Sequence, residues 1–246
     1  MKKSIFMIAV LGLMTFAACG NKSGNNAESA EVATETSETE AAPGIDISAL
    51  EKENGHEYVD LGLPSGLKWA ATNVGASQPT EYGDYFAWGE TQKKESYSEE
   101  AYAFGSDLKK PSKYNAQDKK AVLDSSDDAA QVNWGGKWRM PTRDECLELY
   151  SKTKHEVAEI NGVKGVKFIA ENGNFIFIPA GGSFWETSNS SKGDDVKLWT
   201  KTFQLGEDTS FAAVDYAFGF KVDSNGSSNN YTADRCTGMP IRAVFE

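Results

Sequence analysis

The spacing of apolar and polar residues along the chain predicts one principal helix. Thr142 and Glu145 have the spacing of a capping box, in which each side chain binds the backbone N–H of the other residue. Cys146 and Leu149 follow three positions apart, which places them on one apolar face of a helix. The pattern therefore predicts a helix over residues 142–152.

Two tryptophans directly before this helix give the strongest local packing signal. Trp134 and Trp138 flank Gly135-Gly136, and glycine adopts a positive φ at little cost. Each tryptophan can bury about 150–250 Å². We therefore expect the stretch from Trp134 to Cys146 to anchor the fold and not to carry chemistry.

Short apolar runs predict strands in the rest of the domain. Two of them flank Asn172-Gly173, the dipeptide that most favours a tight hairpin. A helical turn is predicted over residues 127–131, whereas residues 91–120 are polar and predict a long excursion with little regular core. The predicted strands cover residues 58–63, 67–70, 84–89, 165–170, 175–179, 196–203, 212–222 and 239–245. One helix and many short strands predict a single α+β domain over residues 51–246.

The first 50 residues have a different composition. Lys2 and Lys3 precede an apolar run that is too short to span a bilayer, and small residues then lead to Cys19. This arrangement is similar to a bacterial lipoprotein signal over residues 1–18, after which Cys19 would be acylated; an ordinary secretory signal is the alternative. Residues 19–50 contain no aromatic residue and several glutamates, which predicts a disordered acidic tether.

Charge and cysteine content narrow the classes of partner. The formal net charge of −11 opposes binding to nucleic acid, although an acidic surface identifies no partner by itself. Of the three cysteines, lipidation would occupy Cys19 and leave Cys146 and Cys236. In an oxidising compartment this pair would form either a disulfide or two separately buried thiols.

Seven segments occur in order along the domain and together form a recognisable signature. They are YVDLGLPSGLKWA at 58–70, NVGA at 73–76, EYGDYFAWGE at 81–90, WGGKWRMPTRDE at 134–145, NGVKG at 161–165, IPA at 178–180 and IRAV at 241–244. This combination resembles the Fibrobacter succinogenes major paralogous domain, a family abundant in envelope lipoproteins of Bacteroidetes-type bacteria. The likeness extends over residues 57–246, and Ala71-Thr72 depart from it where relatives often carry a cysteine.

The entry to the helix and the closing arginine-containing strand also look like the formylglycine-generating-enzyme branch of C-type-lectin-like folds. That resemblance implies a C-type-lectin-like fold in which the helix packs on a sheet and the last strand returns beside the first. It further implies that Cys146 and Cys236 lie where lectin-like domains often carry a long-range disulfide. Fold alone does not determine function.

Catalytic and metal-binding signals are weak. An oxidase of the formylglycine type needs a reactive cysteine pair, but Cys236 has no second cysteine near it. His56 and His155 belong to no motif, and no His/Cys cluster has metal-ligand spacing, so we expect no metal or cofactor. Asp223-Ser224-Asn225-Gly226 is read as a hairpin loop and not as a calcium loop, because its glycine is misplaced. Glu90, Asp194 and Asp195 are candidate members of a carboxylate pair, in a chain rich in acids.

Aromatic residues give the best indication of a binding surface. Phe184 and Trp185 stand apart from the other family-like segments, between Gly181-Gly182 and a polar run that includes Asp194 and Asp195. An exposed tryptophan offers a flat apolar face with a polar edge. These four residues are the candidate ligand site, although the sequence favours packing as the explanation for the two aromatic rings.

Taken together, the sequence predicts a non-catalytic, lipid-anchored protein of the outer membrane. Its expected role is a binding or adhesion module for glycan or protein, facing either the periplasm or the cell surface. The alternatives are a structural envelope component without a ligand and an enzyme that acts on glycans or forms formylglycine. A binding module requires an exposed aromatic patch at Trp185, whereas an enzyme requires a deep pocket with converging polar groups.

Overall fold

The architecture is described from a computed structural model. The predicted signal peptide, Cys19 and most of the predicted tether lie outside the described residues, as does the beginning of the strand predicted over residues 212–222. The described ranges are 45–115, 117–203, 215–229 and 231–246.

The capping box forms, and helix α2 spans Arg143–Lys152. The Thr142 hydroxyl accepts a hydrogen bond from the Glu145 N–H (3.3 Å), and the Glu145 carboxylate accepts one from the Thr142 N–H (2.7 Å). Arg139 donates two further hydrogen bonds of 2.8 Å to that carboxylate. The helix predicted over residues 142–152 is therefore confirmed, with Thr142 as its cap.

A shorter helix, α1, spans Ala129–Trp134 after a 3₁₀ turn at Ser125–Asp127. Its cap, Asp128, is fully buried and accepts a hydrogen bond from the Gln131 N–H (3.1 Å). Both Asp128 carboxylate oxygens also accept from the Met140 N–H, each at 3.0 Å. One carboxylate thus joins α1 to the segment that enters α2.

The strands in the described residues are short, and their pairings are antiparallel. They are β1 (Lys52–Glu53), β2 (His56–Asp60), β3 (Lys68–Ala70), β4 (Lys154–Ile160), β5 (Val163–Ile169), β6 (Phe175–Pro179), β7 (Ser183–Trp185), β8 (Ser188–Ser190), β9 (Val196–Phe203), β10 (Tyr216–Val222), β11 (Tyr231–Asp234) and β12 (Val244–Phe245). Their orders are β1-β2-β3-β12, β4-β5-β6, β7-β8 and β9-β10-β11. Mostly antiparallel strands with few helices place the fold in the α+β or mainly-β class.

Two predicted strands keep at most two strand residues in the structure, and the strand predicted over residues 58–63 is found as β2, which ends at Asp60. The segment 84–89 makes a single bridge, between Phe86 and Met239, because glycines with positive φ bound it and turn the chain away from a longer ladder. The strand predicted over residues 239–245 is reduced to β12, since Pro240 has no N–H to donate to a partner strand. By contrast, the hairpin of β5 and β6 forms as predicted.

The core reaches further than the sequence pattern predicts. Residues 91–120 lack regular elements where they are described, as expected, but Tyr97, Tyr102 and Tyr114 are at most 4% exposed. At the other end, Ile47 is 8% exposed and belongs to the core that α2 joins. The predicted boundary of the tether at residue 50 is therefore too late, because its last apolar residues pack on the domain.

Arg242, in the segment before β12, is fully buried and crosslinks three parts of the chain. Its guanidinium donates to the Asn73 side-chain oxygen (2.8 Å) and to the carbonyl oxygens of Ala70 (3.0 Å), Ala71 (2.8 Å) and Phe177 (2.9 Å). Burial lowers the pKa of Arg242 to about 9. The cation thus holds the chain after β3 against β6 through neutral acceptors.

Cys146 and Cys236 are free, buried thiols in two different apolar clusters. Cys146 lies on the inner face of α2, and burial raises its pKa well above the ordinary range. Burial also raises the pKa of Cys236 to about 12. The structure therefore has the two separately buried thiols and not the disulfide, because each sulfur is enclosed by its own cluster.

Replacement of Cys146 by serine is expected to lower the free energy of unfolding by roughly 1–3 kcal/mol, because a hydroxyl enters apolar surroundings. The loss should be equal with and without a reductant in urea unfolding of the full chain. A loss seen only under oxidising conditions would indicate a bridge to Cys236, and Cys19→Ser serves as the control for the third thiol.

Candidate functional site

The ribbon formed by β7 and β8 carries the candidate site. Its register pairs Ser183 with Ser190, Phe184 with Asn189, and Trp185 with Ser188. Because side chains alternate along a strand, Ser183 and Trp185 lie on one face and Phe184 on the other. The two aromatic residues that the sequence analysis groups together therefore point to opposite sides of the ribbon.

The Phe184 face packs on the domain. Its ring makes an edge contact with Tyr85 (4.8 Å between centroids) and a tilted contact with Tyr97 (5.9 Å). The Asn189 amide on the same face donates to the Gly181 carbonyl (3.0 Å) and to the Tyr85 hydroxyl (3.3 Å). Burial raises the pKa of Tyr85 to about 12. Phe184 thus supports the ribbon by packing on the domain. For this residue, the explanation by packing applies and not the one by ligand binding.

Backbone hydrogen bonds fix the ribbon from two sides. Phe184 and Gly238 exchange two N–H···O bonds, of 2.8 and 3.0 Å. Glu186, at the ribbon's turn, exchanges another two with Tyr97, of 2.8 and 2.9 Å. The side chains on the outer face are therefore presented by a backbone that is held before any ligand arrives, which reduces the ordering cost of binding.

Trp185 is the tryptophan that this ribbon exposes. Its side chain is 43% accessible to solvent, whereas Trp69, Trp88, Trp138 and Trp199 are fully buried and Trp134 is 7% exposed. Its cross-strand partner, Ser188, is exposed as well. A flat ring bordered by hydroxyl groups is therefore available on the surface.

The serine end of the same face leads to a buried cluster of charges. The Lys197 ammonium lies 3.3 Å from the Ser183 hydroxyl and 3.5 Å from that of Ser191. Asp195 is the nearest carboxylate, 3.8 Å from Lys197, and it pairs more closely with Lys221 at 3.1 Å. Burial lowers the pKa of Lys197. The structure thus adds Ser183 and Lys197 to the predicted site.

The two predicted carboxylates have different surroundings. Asp195 is 9% exposed and belongs to the lysine cluster. Asp194 is exposed and lines a separate cleft of about 160 Å³, together with Lys164 and Asp223. Glu90, the third candidate, forms an ion pair of 2.8 Å with Lys94. These carboxylates therefore have separate neighbours.

A larger cleft lies elsewhere among the described residues. It measures about 380 Å³ and is lined by the segment 45–51, by β2 and by β6. Its walls include Ile47, which is buried in the core, and the partly buried Ile45 and Leu50. We interpret it as a packing seam between the first described residues and the sheet.

Both histidines stack on aromatic rings. His56 lies 4.0 Å from Trp134, and His155 lies 4.2 Å from Tyr150, between ring centroids. Within the described ranges, no group of three or more His, Cys, Asp or Glu residues is arranged to hold a metal ion. No helix in that part of the chain is long and apolar enough to cross a membrane.

The chain was also compared with models of protein families, with curated proteins and with solved structures. None of these three comparisons found a match. What the protein does is therefore inferred from the geometry of the ribbon, its exposed tryptophan and the charges at its serine end.

Proposed function

We propose that the protein is a non-catalytic binding module of the cell envelope, and that the outer face of the β7–β8 ribbon binds a glycan. The observation that carries the proposal is the 43% exposure of Trp185 on a backbone held by four inter-segment hydrogen bonds. A rigid aromatic surface offers contact area at a low entropy cost.

The surroundings of Trp185 favour a sugar over a large protein partner. A pyranose ring presents C–H groups on its face and hydroxyl groups on its rim, which match an indole ring bordered by Ser188 and Ser190. Stable protein interfaces bury roughly 800 Å² on each partner around an apolar centre. The other large exposed apolar side chains, such as Val157 and Val132, lie on other elements and do not extend this face.

The proposed architecture is C-type-lectin-like, in the Fibrobacter succinogenes major paralogous domain family. The place of β12 supports it, because β12 pairs with β3 in the sheet that also holds β1 and β2, and the resemblance implies a last strand that returns to the first. The packing of α2 on β9 and β10 through Cys146 and Leu149 supports it too. We further propose anchoring of the chain to the outer membrane through acylated Cys19.

The buried state of Cys236 supports a non-catalytic role. Thiol chemistry needs an accessible thiolate, which a low pKa provides. Cys236 is fully buried and its pKa is raised to about 12, so its environment favours an inert thiol. This is the opposite of what oxidation at that residue requires.

Trp185→Ala is expected to lower glycan affinity by about tenfold or more, since the stacking surface is lost. Its free energy of unfolding should fall less than in replacement of a buried tryptophan, because Trp185 is 43% exposed. The measurement is binding of the purified full chain to a glycan array, followed by titration calorimetry with the strongest hit.

Val157→Ala is the matched control, because Val157 is similarly exposed (49%) but lies on β4. Equal glycan binding by the wild type and Trp185→Ala would contradict the proposal. Capture of a protein partner without any glycan on the array would favour the adhesion alternative.

A further inference from the structure

Charge balance at the serine end of the ribbon is incomplete. Lys197 and Lys221 share Asp195, which is the one carboxylate within ion-pair distance of either lysine among the described residues. With all three groups ionised, the cluster has one positive charge in excess. This contrasts with the formal net charge of −11 for the whole chain.

Lys197 is also poorly satisfied for a buried cation. Its side chain is 9% exposed, and its contacts with Ser183, Ser191 and Asp195 are 3.3, 3.5 and 3.8 Å long. A charge-assisted hydrogen bond is ordinarily about 2.7–2.9 Å. Burial without a close counterion disfavours the ammonium, which agrees with the lowered pKa of Lys197.

The cluster and Trp185 belong to one continuous face. Ser183 is two residues before Trp185 in β7, a separation of about 7 Å along the strand. Its partner, Ser190, is exposed, and the contact of Lys197 with Ser191 lies at a partly exposed position. A sugar stacked on Trp185 would therefore place a neighbouring unit over the serines that border the ammonium.

We infer that the glycan carries an acidic group, a carboxylate or a sulfate, and that Lys197 recognises it. An anion at this position would balance the excess positive charge, so that two lysines would face two anionic groups. It would also accept a short hydrogen bond from Lys197. The inference rests on the proposed function, because it assumes that a glycan occupies the ribbon face. The Lys197 ammonium indicates an acidic glycan, whereas the Trp185 ring alone does not distinguish acidic from neutral sugars.

The test compares binding of the full chain to polygalacturonate, to its fully methyl-esterified form, to dextran sulfate and to dextran. We expect the acidic polymers to bind, and we expect added salt to weaken this binding. Lys197→Met should lower affinity for the acidic polymers by about tenfold or more. Its thermal stability should be equal or higher, since a costly buried charge is removed.

Asp195→Asn should change the affinity for the acidic polymers in the direction opposite to Lys197→Met. It removes the shared carboxylate, so affinity for the acidic polymers should rise, and misfolding would not produce that result. Polygalacturonate and dextran sulfate distinguish a carboxylate from a sulfate ligand.

Equal affinity for charged and neutral polymers, or unchanged affinity in Lys197→Met, would overturn the acidic-group inference. If Trp185→Ala still abolished binding in that case, the proposed function would stand. If no polymer bound, the acidic-group inference would fail, and the glycan array would decide the proposed function. If a polymer bound but neither Lys197→Met nor Trp185→Ala changed its affinity, both would fail.

Discussion

Arg242→Met is expected to lower the free energy of unfolding by roughly 3–5 kcal/mol. Methionine fills most of the volume but donates nothing, so the acceptors at Asn73, Ala70, Ala71 and Phe177 lose hydrogen bonds of 2.8–3.0 Å in a buried site. Removal of the buried charge recovers part of the desolvation cost. The lost bonds outweigh that gain because water does not reach the acceptors.

Urea unfolding of the full chain, followed by circular dichroism, measures this effect. Arg242→Lys keeps the charge but reaches fewer of the acceptors, so its loss should be smaller than that of Arg242→Met. The exposed Lys152→Met is the control and should stay within about 0.5 kcal/mol of the wild type. If Arg242→Met were as stable as this control, the crosslink between the chain after β3 and β6 would not contribute to stability.

Gly182→Ala is expected to disrupt both stability and ligand binding, because Gly182 lies directly before β7. It has φ +61°, and an added Cβ would lie 2.2 Å from the Ser190 carbonyl oxygen and 2.6 Å from the Lys192 nitrogen. Both contacts are with backbone, which has little freedom to yield. We expect β8 to shift away from β7, with affinity for the ligand falling by about tenfold or more.

Gly193→Ala separates the clash from the backbone conformation. Gly193 also has a positive φ (+84°), but an added Cβ would meet nothing within 4 Å. Both variants incur the cost of a positive φ, about 1 kcal/mol or more. Only Gly182→Ala should lose a further 2 kcal/mol or so by overpacking, and only it should lose ligand affinity. Equal losses in calorimetry and binding would mean that close packing at Gly182 does not hold the ribbon.

Local signals explain which elements could be predicted from the sequence. The capping box at Thr142 and the Asn172-Gly173 turn involve residues near each other in the chain, and both form. Strand β4 was not predicted, because Lys154, Glu156 and Glu159 interrupt its apolar residues at an edge position. Long-range partners decide such a strand, and its own pattern does not reveal them.

In the candidate site, too, some residues could be identified from the sequence and others could not. Trp185 was identified because it stands between glycines and a polar run, outside the packing motifs. Phe184 was grouped with it, since adjacency in sequence does not reveal which face of a strand a residue takes. Lys197 was missed because it lies inside the apolar pattern of β9, where a lysine looks like an ordinary surface position. The available signal was its place between Val196 and Leu198-Trp199, a stretch whose apolar residues fall on both faces of the strand.

Two buried cations in the described residues illustrate different uses of charge. Arg242 has its acceptors at 2.8–3.0 Å, all within the protein. Lys197 has long contacts and shares its counterion. The first arrangement is complete and therefore structural, whereas the second leaves capacity for a ligand. Arg242→Met should accordingly lower the stability of the fold, whereas Lys197→Met should lower the affinity for the ligand without a loss of stability.

Binding on the β7–β8 ribbon is tested most sharply by an NMR titration of the full chain, labelled with ¹⁵N at its six tryptophan indoles. Trigalacturonate is added, and Trp185→Phe identifies the signal of the exposed ring. The Trp185 indole signal is expected to shift strongly and to saturate, while the signals of the buried tryptophans change little. An unchanged Trp185 signal at saturating ligand, or shifts confined to the buried tryptophans, would contradict binding on the β7–β8 ribbon.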